Sequence, residues 1–275
     1  MVDSQPEVDI AALVSETIEF ITVRAADDGS GAFIGEAPGW FGDRLFGGFV
    51  VGQAVHAATQ FAPDGLRIHS LHGYFLRPMM AGTPVRYEAA IVKDGRSFST
   101  RRLDVTQNGA TVFTMTCSFT ADTAGYAYDT PLDDPVPSPD ALERGMGPGP
   151  WEVAWIGPTD AREDRTRRST HRAWSRVAQR LPDDPNLHAA MIGFLTDVTG
   201  TGGRPLHLDG DTFGMVSLDH AVWFHRVARA DEWLLYDVHS LVNAGGRGLL
   251  RGVLRDGQGQ VVASLAQEML LTPVP

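Results

Sequence analysis

The chain has one cysteine, Cys117, in 275 residues. That excludes intrachain disulfides and cysteine-rich metal sites. It has a single lysine, Lys93, and a formal net charge of −11. A nucleic-acid surface needs clustered basic side chains to meet phosphates, so none is expected, although local arginine sites for a small anion stay open. No run of about 18 apolar residues occurs, so no membrane span is expected. The opening residues MVDSQPEVDI are acidic and lack a basic start with an apolar run behind it. They do not read as a secretory signal, and a cytoplasmic location is expected. The patterns G-x-S-x-G, H-E-x-x-H, C-x-x-C and the P-loop are all missing. Nucleophile-elbow, zinc and nucleotide-hydrolysis chemistry therefore lack support, and neither a metal nor a cofactor is expected.

What is present is an apolar fraction of 43%, enough for a substantial core, and a repeat. Residues 74–119 and 223–270 read as two copies of one unit. Phe75-Leu76-Arg77 overlies Phe224-His225-Arg226 at an offset of 149, which also sets Tyr87 over Tyr236 and Arg102 over Arg251. One residue inserted at the following turn then sets Val112 over Val262 and Cys117 over Gln267. This period is far too long for a solenoid. It predicts a pseudo-dimer fused in one chain, with one site built where the halves meet, because pockets favour such interfaces.

Each copy is preceded by a helical pattern. In Gly47–Phe61 the apolar residues Val50, Val51, Ala54, Val55, Ala58 and Phe61 recur at helical spacing. Leu187, Ala190, Met191, Phe194, Leu195 and Val198 do the same over Asn186–Val198. Ala11–Phe20 reads as a shorter helix, Phe33–Phe41 as strand and loop, and residues 1–10 as disordered. Strands are expected at Arg67–Arg77, Pro84–Asp94, Ser97–Gln107 and Ala110–Thr120, with Lys93-Asp94-Gly95 and Gln107-Asn108-Gly109 as positive-φ hairpin turns. Seven of the 17 prolines fall between Pro131 and Pro158, so 122–160 reads as the least regular stretch. Further strands are expected at Trp151–Ile156, His171–Ala178, Met215–Arg226, Trp233–Asn243, Arg247–Asp256 and Val261–Leu271, with a glycine-rich loop at Gly200–Gly214. Periodicity alone supports a duplicated α+β architecture. The implied division is 11–121, a linker at 122–149, and 150–275.

Several separated segments resemble the type II acyl-CoA thioesterases. They are Arg44-Leu45-Phe46-Gly47-Gly48-Phe49-Val50-Val51-Gly52-Gln53-Ala54, Ser70-Leu71-His72-Gly73-Tyr74-Phe75-Leu76-Arg77-Pro78 and Asp94-Gly95-Arg96-Ser97-Phe98. In the second half, Leu218-Asp219-His220-Ala221-Val222-Trp223-Phe224-His225-Arg226 and Val262-Ala263-Ser264-Leu265-Ala266-Gln267-Glu268 continue the match. The resemblance implies a double hotdog: two tandem helix-wrapped antiparallel sheets joined into one continuous sheet. It implies hydrolysis of fatty acyl-CoA to free acid and CoA, and assembly into homo-oligomers. It also implies a site in which an Asp, a hydroxyl and a Gln activate a water, at Asp197, Ser217 and Gln267. The chemistry suits these residue types. Hydrolysis needs a base for the water's proton and groups that orient the water and the developing oxyanion.

On residue type alone the same positions have plainer meanings. Asp197 reads as a helix-end carboxylate, and Ser217 as a strand hydroxyl. Gln267 is harder to dismiss, because a buried amide within an apolar strand needs partners. Phe49 stands where many relatives of this kind carry Gln, and is a candidate acyl-pocket residue. His72, Arg101 and Arg247 are further candidates for substrate binding, the arginines because guanidinium matches phosphate geometry. His220 and His225 read as structural strand histidines. Two other functions keep the fold: an enoyl-CoA hydratase or dehydratase, whose Asp-and-His dyad has no matching His near Asp197, and a non-catalytic acyl-CoA binder.

Overall fold

The computed structural model describes residues 9–40, 42–122, 124–132, 134–147, 149–156, 170–200 and 213–273. Three α-helices lie among them: α1 (Ile10–Ile21), α2 (Gly47–Thr59) and α3 (Pro185–Gly200). The strands are β1 (Arg24–Ala25), β2 (Phe33–Gly35), β3 (Arg67–Phe75), β4 (Val85–Lys93), β5 (Phe98–Gln107) and β6 (Ala110–Thr120). They continue with β7 (Arg144–Met146), β8 (Trp151–Trp155), β9 (Thr170–Val177), β10 (Phe213–Ser217), β11 (Asp219–Phe224), β12 (Leu234–Ala244), β13 (Arg247–Arg255) and β14 (Val261–Pro273).

All of these strands join one antiparallel sheet in the order β1-β2-β4-β5-β6-β3-β11-β14-β13-β12-β9-β8-β7, with β10 also on β14. About the β3–β11 seam the order mirrors itself, β3-β6-β5-β4-β2-β1 against β11-β14-β13-β12-β9-β8, with β7 added at the second edge. Registers make the symmetry quantitative. His72 pairs with Ala221, and 221 − 72 is 149, so that pair lies on the pseudo-twofold axis. The flanking pairs exchange under the same offset: Tyr74 with Asp219, and Ser70 with Trp223. The bulge between Ile91 and Lys93 recurs between Ser240 and Val242, again 149 residues on. A bulge re-aims a strand, so sharing it means the two sheets curl alike.

Alternation explains how this curled sheet covers its helices. Along β5, Ser99, Arg101, Leu103, Val105 and Gln107 are buried, because every second side chain points to the concave face. α2 and α3 lie on that face and pack directly on each other. Phe49 of α2 meets Phe194 of α3 with ring centroids 4.9 Å apart, and also contacts Phe20 and Trp40 edge-on. Gly52 permits the close approach: a Cβ there would stand 3.1 Å from the Ala190 carbonyl oxygen. The helix expected on Gly47–Phe61 ends two residues earlier, where Gln60 and Phe61 continue in tight turns onto Ala57 and Ala58.

Three details differ from the pattern reading. The strand expected at Met215–Arg226 is broken at Leu218 into β10 and β11, and the register on β14 slips by one there. The stretch 122–160 holds a short strand, β7, zipped to β8. Three residues at a sheet edge are too few for alternation to show. Asn108 and Gly109 have the positive φ of a tight hairpin (51° and 75°), but Gly95 does not. The β4–β5 connection is longer, and Asp94 uses it to reach Arg101 at 2.7 Å. The disorder expected over residues 1–10 does not reach Asp9, which caps α1, or Ile10, which opens it; residues 1–8 and most of the glycine-rich loop lie outside the described residues.

Candidate active site

Asp197, Ser217 and Gln267 come from α3, β10 and β14 and meet at one buried point. The Gln267 amide nitrogen donates to Asp197 Oδ1 at 2.6 Å and to Ser217 Oγ at 2.8 Å. Ser217 Oγ donates more weakly to Asp197 Oδ1 at 3.4 Å. Asp197 is 2% exposed and Gln267 1% exposed. The break at Leu218 helps to assemble the group. Ser217 sits opposite Met269 on β14, while Ala221 sits opposite Ala266, so the slip lets Ser217 share a face with Gln267.

The first half supplies one further element, the amino end of α2. Phe46 gives α2 no side-chain cap, and the first turn carries no acid. Asp197 takes that role from the neighbouring helix, accepting a hydrogen bond from the Gly48 backbone N–H. Helix amino termini attract anions through their unpaired N–H groups and the helix dipole. Glycine is needed for the approach: a Cβ on Gly47 would stand 2.8 Å from Asp197 Oδ2 and 3.0 Å from Phe75. At α3's own end, the buried Tyr236 hydroxyl donates to the Thr196 carbonyl at 2.9 Å and fixes the turn that carries Asp197.

Burial dominates the electrostatics. It raises the Asp197 carboxyl to about 6, against the opposing pull of hydrogen bonds from Gln267, Ser217 and Gly48. A carboxylate at that value is mostly ionised at neutral pH yet basic enough to take a proton, which is the range a general base needs. Burial also drives His220 down to about 4, so its ring is neutral beside the site.

The remaining sequence candidates lie elsewhere. His72 sits on the pseudo-twofold axis, half-exposed, with Nε2 3.1 Å from Asp219 Oδ2. Phe49 is fully buried among aromatic rings of the helix interface. Arg101 is 2% exposed and turned inward. Its guanidinium donates to the Phe61 carbonyl at the end of α2, to the Lys93 and Thr100 carbonyls and to Asp94. These donors hold the helix end to the sheet. Arg247 is exposed and paired with Glu268 at 2.9 Å. None of these four hydrogen-bonds to the Asp197 cluster. No group of three or more potential metal ligands occurs among the described residues.

Sequence reading missed two contributors, the Gly47-Gly48 helix terminus and His220. His220 Nε2 lies 2.8 Å from Thr196 Oγ1, in a buried contact. The repeat held a signal for it. At the offset of 149, His220 falls on Leu71, so a ring nitrogen pair replaces an aliphatic core residue in one half only.

Two hotdog units under one sheet define the class as a double hotdog, and among the described residues a buried carboxylate–hydroxyl–amide cluster lies in the second unit. The crystal structure of a conserved protein with a hot dog fold from Alicyclobacillus acidocaldarius shares this fold, with a TM-score of 0.74, 22% identity and coverage of 94% of this chain and 97% of its own. Residues 37–120 match the family described as acyl-CoA thioesterase N-terminal domain, and residues 129–271 its C-terminal domain counterpart. The chain belongs to the acyl-CoA thioesterase family. Human acyl-coenzyme A thioesterase 8 is 29% identical over 265 residues, covering 84% of this chain and 82% of its own. Acyl-CoA thioesterase 2 of Haemophilus influenzae is 25% identical over 251 residues, covering 83% and 87%. The crystal structure of acyl-CoA thioesterase II TesB2 from Mycobacterium marinum has a TM-score of 0.78 and 32% identity, covering 93% of this chain and 98% of that one.

Proposed function

We propose that this chain hydrolyses fatty acyl-CoA to free acid and CoA with a water activated at Asp197, Ser217 and Gln267. The observation that carries the reading is the convergence of three unlike polar side chains from three elements at one buried carboxylate. Asp197 takes the water's proton as the oxygen attacks the thioester carbonyl. Gln267 and Ser217 hold the water and carboxylate in line, and the Gln267 N–H that meets Ser217 can turn to the oxyanion as it forms. Collapse of the tetrahedral intermediate breaks the C–S bond, and the proton passes from Asp197 to the departing sulfur. No covalent enzyme intermediate is needed.

We also place the division of labour at 11–121 and 150–275, with 122–149 between them. The mirrored strand order supports it, since each half supplies a complete sheet and helix. Tyr74 (50% exposed), Leu76 (49%) and Trp223 (43%) are large apolar groups left in solvent near the seam. They support assembly into homo-oligomers, which sedimentation of the protein tests. Among the described residues no helix is long and apolar enough to cross a membrane.

The test is thiol release from saturated and unsaturated acyl-CoAs of graded length, with Asp197→Asn as the comparison. Thiol release that depends on Asp197 supports the reading. Hydration of an unsaturated acyl chain without thiol release replaces it with the hydratase function, and binding without turnover replaces it with a carrier.

A further inference from the structure

The Gln267 amide nitrogen serves two acceptors, Asp197 Oδ1 and Ser217 Oγ. Its oxygen therefore faces the opposite way, and there Gln267 Oε1 is buried with no hydrogen-bond partner among the described residues. A second buried atom in the same state is His220 Nδ1. The strands bring the two together. Ala221 of β11 pairs with Ala266 of β14, so one step along each strand sets His220 against Gln267. Both side chains point to the concave face, at 0% and 1% exposure. The first half prints the same geometry in apolar form, where Leu71 pairs with Cys117.

The ring's other nitrogen is tied to α3 through Thr196, the residue before Asp197, at 2.8 Å. A neutral imidazole has one N–H, and an ionised Asp197 decides where it sits. The carboxylate requires Gln267 to donate to it. Gln267 Oε1 must then accept, so the ring proton belongs on Nδ1 and Nε2 accepts from the Thr196 hydroxyl. In the structure that hydroxyl donates to the Gly193 carbonyl at 2.7 Å; in the Nδ1–H state its one hydrogen turns to the ring nitrogen 2.8 Å away, and the Gly193 carbonyl keeps the helical N–H four residues on as its donor. Asp219 and His72 are the charged or titratable neighbours of His220, alongside Gln267.

We propose that His220 is a positioning residue: a neutral, Nδ1-protonated imidazole that fixes the Gln267 amide toward Asp197 and Ser217 and locks that orientation to α3 through Thr196. The inference rests on the hydrolytic reading of the Asp197 cluster. It accounts for a fully buried histidine near the start of β11, and for its replacement by leucine in the half that lacks the cluster.

The experiment has two arms. Ring ¹⁵N shifts of the full chain, with the His220 signals assigned by their loss in a His220 variant, should show Nδ1 protonated and Nε2 bare above pH 7. The Nε2-protonated tautomer overturns the proposal. In the second arm, His220→Asn places an amide nitrogen near Nδ1 and keeps the donor to Gln267, whereas His220→Gln places one near Nε2 and keeps only the Thr196 tether. Misplacing a catalytic group can cost on the order of 10²-fold. His220→Gln should therefore lose about tenfold or more in kcat, with the acid limb of the rate profile moved to higher pH as Asp197 loses an aligned donor. His220→Asn should retain more activity and keep the limb in place. Equal losses with an unmoved limb indicate a purely structural ring and overturn the proposal. Undiminished activity of folded Asp197→Asn would instead sink the hydrolytic reading, an outcome the tautomer measurement does not share.

Discussion

Strand for strand the first half can be laid on the second: β3 on β10–β11, β6 on β14, β5 on β13, β4 on β12, with the same bulges. At three shared positions the side chains part company. Where the second half has Ser217, His220 and Gln267, the first has Ile68, Leu71 and Cys117, all at most 3% exposed. The helices differ in the same way. Asp197 lies twelve residues after Pro185, and twelve residues after Gly47 stands Thr59 (197 − 185 = 59 − 47). The mirror of the site is a cavity of about 30 Å³ beside Ile68, Pro185, Asn186 and Phe224, room for roughly one water. One scaffold thus holds a costly buried polar network once and an ordinary core once. Burying polar groups is expensive unless they satisfy one another, so the apolar copy shows what the fold prefers when chemistry does not intervene. It contributes something else to the Asp197 cluster, the amino end of α2.

The largest break in the comparison is Asp197→Asn, which removes the proposed base while keeping shape. Base catalysis is worth about 10²–10⁴-fold, and thiol release should fall on that scale in a protein whose circular dichroism is unchanged. Next comes Gln267→Cys, which writes the first-half residue into the second. Losing one donor to a developing oxyanion costs about 10²–10³-fold. Steady-state rates on a medium-chain acyl-CoA check both, and near-normal turnover by either folded variant moves the chemistry away from this cluster.

Asp197 should also show opposite signs for activity and stability. Its folded carboxyl sits at about 6, above the ordinary 3.8. The folded state therefore holds this proton more tightly than the unfolded chain, and ionisation weakens folding as pH rises from about 4 through 6. Activity needs the ionised form and should rise through the same window. Asp197→Asn, neutral at every pH, should unfold later than the parent at pH 7.5, by up to ~3 kcal/mol. That gain should vanish below about pH 4, the ordinary carboxyl range. Denaturant melts at both pH values decide the sign. A variant less stable at pH 7.5 would show that the α2 terminus and Gln267 outweigh burial.

Much of this contrast could be read without coordinates. The offset of 149 rested on Phe75, Tyr87 and Arg102, and the β-sheet registers reproduce it. Strand ends fell within a residue or two because turns and alternation mark them. The break at Leu218 left no trace, since the residues on both sides continue the pattern. Asp197 was visible only through family resemblance: nothing in a helix sequence shows that its end will be buried. The Gly47-Gly48 terminus was hidden for a related reason, as its role depends on a helix roughly 150 residues away in the chain. His220 was set aside because a strand histidine does not announce its neighbour, although the leucine at its mirror position did carry that information. Arg101 invited a phosphate and instead turned inward to cap α2, a choice set by the inward parity of β5.

Cys117→Gln sharpens the comparison from the other side by placing the amide in the apolar half. No acid or hydroxyl waits for it at Ile68 and Leu71. Its buried oxygen and nitrogen would go unpaired, at about 1–3 kcal/mol each. Stability should drop measurably in a denaturant titration, while no second activity appears. A gain in turnover would mean that Thr59 and the small cavity retain more of a site than the apolar Ile68 and Leu71 indicate.

The smallest effect is expected at Ser217. Its hydroxyl accepts from Gln267 at 2.8 Å and is only 3.4 Å from Asp197. In the proposed reaction it orients the other two groups and takes no proton. Ser217→Thr keeps that oxygen and adds a methyl that restricts its rotamers. Ser217 is only half-buried, which leaves room for the methyl. Turnover should fall least of the set, with the acid limb held in place. Ser217→Ala removes one of the hydrogen bonds that oppose burial at Asp197, so its limb should move to higher pH and its kcat should fall below that of the threonine variant. Equal activity of the alanine and threonine variants would show that the hydroxyl plays no part, and would reduce the asymmetry between the halves to the carboxylate and the amide.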